Sequence, residues 1–172
     1  MRVLGIDPGL LATGYGLIET KGERLQTLHF GVLPTPSPHP LRLKEVFEGI
    51  RGLIEDWSPE YLVIEAVFLQ RNVKFALSIG EVRGIIGLAA ALSGIPIVEY
   101  SPRQIKRAVV GYGGASKEQV QFMVKNILGL KEIPQPDHAA DALAVAICYT
   151  HSYSSQLKIS EYQQNSEMSG DV

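Results

Sequence analysis

Among 172 residues there is a single cysteine, Cys148. One thiol excludes an internal disulfide framework and a cysteine-rich zinc site. No apolar run reads as the ~18 residues that a membrane span requires. The N-terminus shows neither the basic patch nor the long apolar core of a secretory signal. A cytoplasmic protein that makes no use of a membrane is therefore the expectation. Charged residues are few, 20% of the chain against a usual ~25%. Hydrophobic residues, at 45%, are ample for a packed core and exclude a chain disordered throughout. The length fits one domain. It is too short for a two-lobed kinase or an actin-like ATPase.

The net charge of −2 hides an asymmetry. Between Ala66 and Lys125 stand eight basic residues: Arg71, Lys74, Arg83, Arg103, Lys106, Arg107, Lys117 and Lys125. Only three acids accompany them: Glu81, Glu99 and Glu118. A locally basic stretch in an otherwise acidic chain can hold a phosphate backbone while the remainder stays soluble. Solvated helix faces would produce the same count.

Residues 2–7 form a short apolar run that ends in an acid, followed by the turn Asp7-Pro8-Gly9. Residues 14–20 and 24–33 read as strands joined at Lys21-Gly22, so the chain opens with a three-stranded meander. Four prolines between Pro34 and Pro40 enforce a loop. Apolar residues from Leu43 to Trp57 recur at spacings of three and four, which predicts an amphipathic helix. Residues 61–65 read as a strand covered on both faces. Lys74–Ser93 reads as a helix, with Gly80, Gly84, Gly87 and Ala91 in a stripe that another backbone could approach. That approach could come from this chain's own sheet or from a second subunit. A strand at 96–100 follows. Ser101-Pro102-Arg103-Gln104 and Ser116-Lys117-Glu118-Gln119 are helix starts of the capping-box kind. A last helix is predicted from about His138 to Cys148 or slightly beyond, with Asp137 as its cap. Residues 152–172 read as a polar tail without periodicity. The order predicts one α/β domain over residues 1–151, built on a mixed sheet.

The acids that interrupt apolar strands carry the chemistry. Asp7 ends the first strand and Glu65 ends the fourth. A carboxylate in such a place is costly unless neutralised, and carboxylates gathered from neighbouring strand ends invite divalent cations. Mg²⁺ takes few carboxylates together with phosphate oxygens, which suits phosphoryl transfer. On the last helix, His138 and Asp141 are three apart and share a face, and Asp137 lies one turn before Asp141. Alanines at 139, 140, 142 and 144 keep that helix slim. Asp7, Glu65, Asp141 and either Asp137 or His138 are thus candidates to converge on two metals. Each also has an ordinary use: a turn, a solvated strand end, a helix cap. Phe68 is placed to stack on bases or to fill the core. Lys106 and Lys117 are placed to meet phosphates or solvent. Asp7-Pro8-Gly9 with Thr13-Gly14 also suggests the phosphate loop of sugar kinases and Hsp70-type ATPases, but those need a second lobe.

These residues, taken in order, resemble the RuvC family of Holliday junction resolvases. The likeness is carried by Val3–Gly9 with Thr13–Gly16, by Ile64–Phe68 with Asn72, Ala76-Leu77 and Arg83-Gly84, by Tyr100, Arg103-Gln104, Lys106, Val109–Gly111 and Lys117, and by Asp137–Ala144. It spans roughly residues 1–150. The resemblance implies a ribonuclease H-like fold, with a mixed five-stranded sheet that includes the antiparallel meander and is flanked by helices. It implies a homodimer that recognises four-way DNA junctions and cuts them by paired symmetric nicks, leaving 5′-phosphates. It implies two Mg²⁺ ions per subunit, with Mn²⁺ as the alternative, and a RuvA–RuvB branch-migration complex as partner. Its catalytic and metal-binding positions fall on Asp7, Glu65, His138 and Asp141. The position of His138 is histidine here where many members have aspartate. Phe68 matches a base-contacting aromatic, and Lys106 and Lys117 match DNA-contacting positions. Arg71 and Arg103, from the basic stretch, complete the candidate DNA contacts. Two other functions compete: a related nuclease acting on RNA, of the YqgF type, and a junction-binding protein without cleavage.

Overall fold

The computed structural model describes residues 1–22, 24–66 and 73–168, with side chains described as far as Ser155. Three strands open the chain: β1 (Arg2–Asp7), β2 (Ala12–Lys21) and β3 (Arg24–Pro34). They pair antiparallel as the expected meander. Helix α1 (Leu41–Trp57) leads to β4 (Tyr61–Glu65), α2 (Val73–Leu92) and β5 (Ile97–Tyr100). Both β4 and β5 run parallel to β1, giving a mixed sheet in the order β3-β2-β1-β4-β5. Helices α3 (Pro102–Val110), α4 (Lys117–Ile127) and α5 (Asp137–Met168) complete the domain.

Strand parity sorts the core into two layers, because alternate side chains face opposite sides of a sheet. Leu4, Ile6, Leu17, Leu62 and Ile64 pack with Val46, Ile50, Val82 and Ile86 of α1 and α2. Val3, Ile18 and Val63 pack with α3, α4 and α5. On this second face β1 and β2 also carry glycines. A Cβ on Gly5 would strike the backbone of Ala142 and Ala146, and one on Gly14 would strike the His138 carbonyl. A Cβ on Gly16 would come within 2.7 Å of the Leu143 side chain. The slim helix anticipated from its alanines therefore lies directly on β1 and β2, with Ala139, Ala140, Ala142 and Ala146 fully buried.

Both capping boxes form. Ser101 Oγ accepts from the Gln104 amide at 3.2 Å, and Gln104 Oε1 accepts from the Ser101 amide at 2.9 Å. The Ser116–Gln119 pair does the same at 3.3 and 2.8 Å. These caps fix where α3 and α4 begin, and so where Lys106 and Lys117 stand.

Three features depart from the sequence reading. Helix α5 does not end near Cys148 but runs to Met168, through residues read as an aperiodic tail. Tyr149 and Tyr153, one turn apart, stack with centroids 5.9 Å apart, and Tyr61 of β4 meets Tyr149 at 4.8 Å. These contacts hold the helix past the expected stop. Second, α2 is long and apolar enough, by length and composition, to cross a membrane, although 28% of that stretch is buried in the domain. Third, Asp137 does not cap α5 from outside but is its first helical residue. Cys148 is buried, and burial pushes its thiol up to about 12. It is a packing residue.

Candidate metal centre

The parity that sorts the core also aims the acids. Asp7 shares its face of β1 with Val3 and Gly5, and Glu65 shares its face of β4 with Val63. The strands are in parallel register up to Ile6 and Ile64, so Asp7 and Glu65 are the next residues of adjacent strands. Both point to the side on which α5 lies. The glycines of β1 and β2 bring α5 close enough for its first turn to reach them.

Asp7, His138 and Asp141 each offer a ligand atom, and these atoms all lie within 4.8 Å of one another. His138 Nδ1 is 2.6 Å from Asp7 Oδ2. That is a short, charge-assisted contact, and it leaves Nε2 as the second nitrogen of the ring. Glu65 and Asp141 line a cleft of about 240 Å³ whose wall also includes Lys106, Lys117, Ile105 and Val120. Carboxylate oxygens with one imidazole nitrogen form a donor set that suits a hard or borderline divalent ion such as Mg²⁺ or Mn²⁺.

The electrostatics record the crowding. Burial pushes the Asp7 carboxyl above the usual carboxylate range; the bond to His138 opposes this and the charge of Asp141 adds to it. Burial, with the charges of Asp7 and Asp141, pushes Glu65 up to about 7, against the pull of Lys106 and Arg83. Carboxyls that resist ionising next to one another are what a cation relieves.

Lys117 begins α4 and reaches across to α5. Its Nζ lies 3.0 Å from Asp141 Oδ2 and 3.2 Å from Asp137 Oδ2. Burial works against its charge, but the bonds to Asp141 and Asp137 prevail and raise its pKa. Asp137 also accepts from Gln121 Nε2 at 3.0 Å. Lys117 and Gln121 hold the Asp137 carboxyl below its ordinary value. Of the two competitors for the fourth position, His138 thus stands against Asp7, while Asp137 turns to α4.

The structure brings together Asp7, His138 and Asp141, while Glu65 lines the cleft that Asp141, Lys106 and Lys117 also line. Arg103 is exposed on α3 and covers Gly113, outside that cleft. Phe68 and Arg71 lie outside the described residues. Sequence reasoning missed three supports. Arg83 donates from Nη1 to the Glu65 carbonyl and pairs through Nη2 with Glu99 at 2.9 Å. Its signal was a cation in the middle of an apolar helix. Gln121, almost fully buried on α4, steers Asp137. Arg42 donates to the Leu10 carbonyl at 3.0 Å, and the Thr35 amide donates to Leu11 at 3.0 Å. These bonds fix the loop that follows Asp7.

A mixed sheet in this strand order, with acids on the two central strand ends and an Asp/His-bearing helix across them, defines a ribonuclease H-like nuclease fold. Residues 3–149 match the family model described as crossover junction endodeoxyribonuclease RuvC. The chain belongs to the RuvC family. It is 48% identical over 155 residues to the crossover junction endodeoxyribonuclease RuvC of Syntrophomonas wolfei, covering 89% of this chain and 90% of that protein. It is 50% identical over 154 residues to that of Heliobacterium modesticaldum, covering 88% and 95%. Among solved structures it is similar to Thermus thermophilus RuvC in complex with a Holliday junction substrate, with a TM-score of 0.85 and 36% identity, covering 89% of this chain and 94% of that one.

Proposed function

We propose that this chain is a metal-dependent endodeoxyribonuclease that resolves four-way DNA junctions in recombination and repair. The observation that carries the reading is the convergence of Asp7, His138 and Asp141 within 4.8 Å, in a chain of the RuvC family. Asp7, Glu65, His138 and Asp141 are the residues that would hold two Mg²⁺ ions, or Mn²⁺, and act in catalysis. Bound there, such ions supply Lewis acidity and an activated water for phosphodiester hydrolysis that leaves a 5′-phosphate. Asp7 and Glu65 present their oxygens from rigid strand ends. His138 turns its ring onto Asp7. Lys106 and Lys117, on the cleft wall, neutralise backbone phosphates. Arg103, on the exposed side of α3, extends this positive surface. The family resemblance and the basic stretch add Phe68 and Arg71 to the DNA contacts.

Paired symmetric nicks require two copies. The outer side of α2 supports a homodimer. Leu77 and Leu88 are 66% and 48% exposed there, and added Cβ atoms at Gly80 and Gly84 would meet nothing. An apolar, small-residue helix face without a partner among the described residues suits close approach by a second helix. We assign residues 1–151 to the nuclease domain and 152–172 to an appended tail. The protein acts in the cytoplasm, on junctions presented by a RuvA–RuvB complex; these two assignments rest on the family resemblance.

The test is a nicking assay with a mobile four-way junction, linear duplex and RNA, each with Mg²⁺ and with EDTA. The junction alone should be cut, symmetrically and only with the ion. Asp7→Asn should retain junction binding in a gel-shift assay and lose nicking. RNA cleavage with intact junctions would assign the chain to RNA processing, and binding without nicking in either Mg²⁺ or Mn²⁺ would remove the enzymatic reading.

A further inference from the structure

The position of Lys117 is unfavourable on its own terms. It is the first residue of α4, where the helix dipole and the unpaired amides repel a cation. Its ammonium is held there by Asp141 at 3.0 Å and Asp137 at 3.2 Å. Asp141 is also one of the three groups whose ligand atoms converge at the candidate metal centre. The same carboxylate therefore serves an internal cation and, on the reading above, a divalent one.

We propose that Lys117 is a displaceable internal cation that couples DNA docking to metal loading. This rests on the assignment of Asp141 as a metal ligand. In the DNA-free protein the Lys117 ammonium occupies Asp141 and lowers its affinity for a divalent ion. A backbone phosphate entering the cleft offers Lys117 a competing anionic partner and draws it from Asp141. The carboxylate is then open to the ion. Because coupling between two ligands is reciprocal, the ion also tightens the hold on DNA. Asp137, bonded to both Lys117 and Gln121, keeps the ammonium tethered at the cleft wall when it leaves Asp141. The divalent ion is thus favoured where its substrate is present.

Lys106 provides the control. It lies on the same cleft wall and acts electrostatically on Glu65, but no ion pair between it and Asp141 is among those described. Removing it changes the local field without freeing that carboxylate.

The experiment is a Mn²⁺ titration of the full chain, read by the electron paramagnetic resonance of the free ion. It uses wild type, Lys117→Met, Lys117→Arg, Lys106→Met and Asp141→Asn, with folding checked by circular dichroism. Without DNA, Lys117→Met should bind Mn²⁺ at least about fivefold more tightly than wild type, the lower end of ordinary coupling factors. Lys117→Arg should stay near wild type, and Lys106→Met should gain less than half as much as Lys117→Met. Four-way junction DNA, added in the cold and read before nicking, should tighten Mn²⁺ binding by about fivefold in wild type and by less than about twofold in Lys117→Met. Unchanged affinity in Lys117→Met, or an equal gain in Lys106→Met, overturns the coupling. Asp141→Asn should lose Mn²⁺ binding. Binding that survives that change overturns the metal-site assignment and the coupling with it.

Discussion

The two faces of the sheet are built by opposite means. On one, large aliphatic side chains fill the space: Leu4, Ile6, Leu62 and Ile64 against Ile50, Val82 and Ile86. On the other, glycine meets alanine: Gly5, Gly14 and Gly16 against Ala142, Ala146 and the His138–Leu143 turns of α5. Side-chain packing leaves room for a neighbour to shift a rotamer. Backbone-to-backbone contact leaves none. The candidate metal centre lies on the second face, where the spacing between strand ends and helix is set by the polypeptide itself. A site needing side chains held to fractions of an ångström is best served by that construction.

The comparison can be broken most severely at Gly14. Gly14→Ala puts a methyl group into the His138 carbonyl and must lift the start of α5. Nicking should fall by about 100-fold or more, the cost of a ~1 Å misplacement. Stability should fall by about 1–3 kcal/mol, as overpacking does. Junction nicking and urea unfolding measure the two. Next in size is the contrast within the first turn of α5. His138→Ala should lower nicking by about 100-fold, while Asp137→Ala, which removes only an outer partner, should stay within about tenfold. Single-turnover rates on one junction compare them directly.

The third effect is one of pH. Glu65 sits at about 7 against an ordinary 4.5, raised by burial and by Asp7 and Asp141. Between those values the metal-free native state holds a proton that the unfolded chain has released. This group's contribution to stability therefore declines as pH rises from about 4.5 to about 7. Metal affinity moves the other way and climbs as Glu65 ionises. Thermal unfolding of metal-free protein across that range should show a shallower slope for Glu65→Gln than for wild type. Asp7, raised in the same sense, maintains the remainder. The smallest effect belongs to the aliphatic face. Ile86→Val should cost about 1 kcal/mol and leave nicking within about twofold, read by the same two assays.

Much of this was legible before any coordinates. Short apolar runs placed β1 and β4, the Lys21-Gly22 turn marked β2 and β3, and three- and four-residue spacing placed α1. The acids at positions 7 and 65 were visible because they end apolar runs, and strand parity then obliges them to share a face. Other features leave no such trace. Beyond Cys148, α5 is met by Tyr61, remote in sequence, whose ring lies tilted against that of Tyr149. A cap and a first-turn residue look alike after prolines, so Asp137 could not be told from a cap. On α2 the stripe of Gly80, Gly84, Gly87 and Ala91 was visible, but not whether this chain or a second subunit would approach it. Arg83 was counted as one basic residue among eight, and only the fold gives it an address.

That address links two parts of the molecule. Arg83 leaves α2, whose outer surface is assigned to the second copy, and its guanidinium grips the carbonyl of Glu65 while pairing with Glu99 beside it. One side chain therefore ties the helix proposed to meet a second copy to the strand end that carries the candidate ligand Glu65, so the two cannot shift independently without breaking that bond.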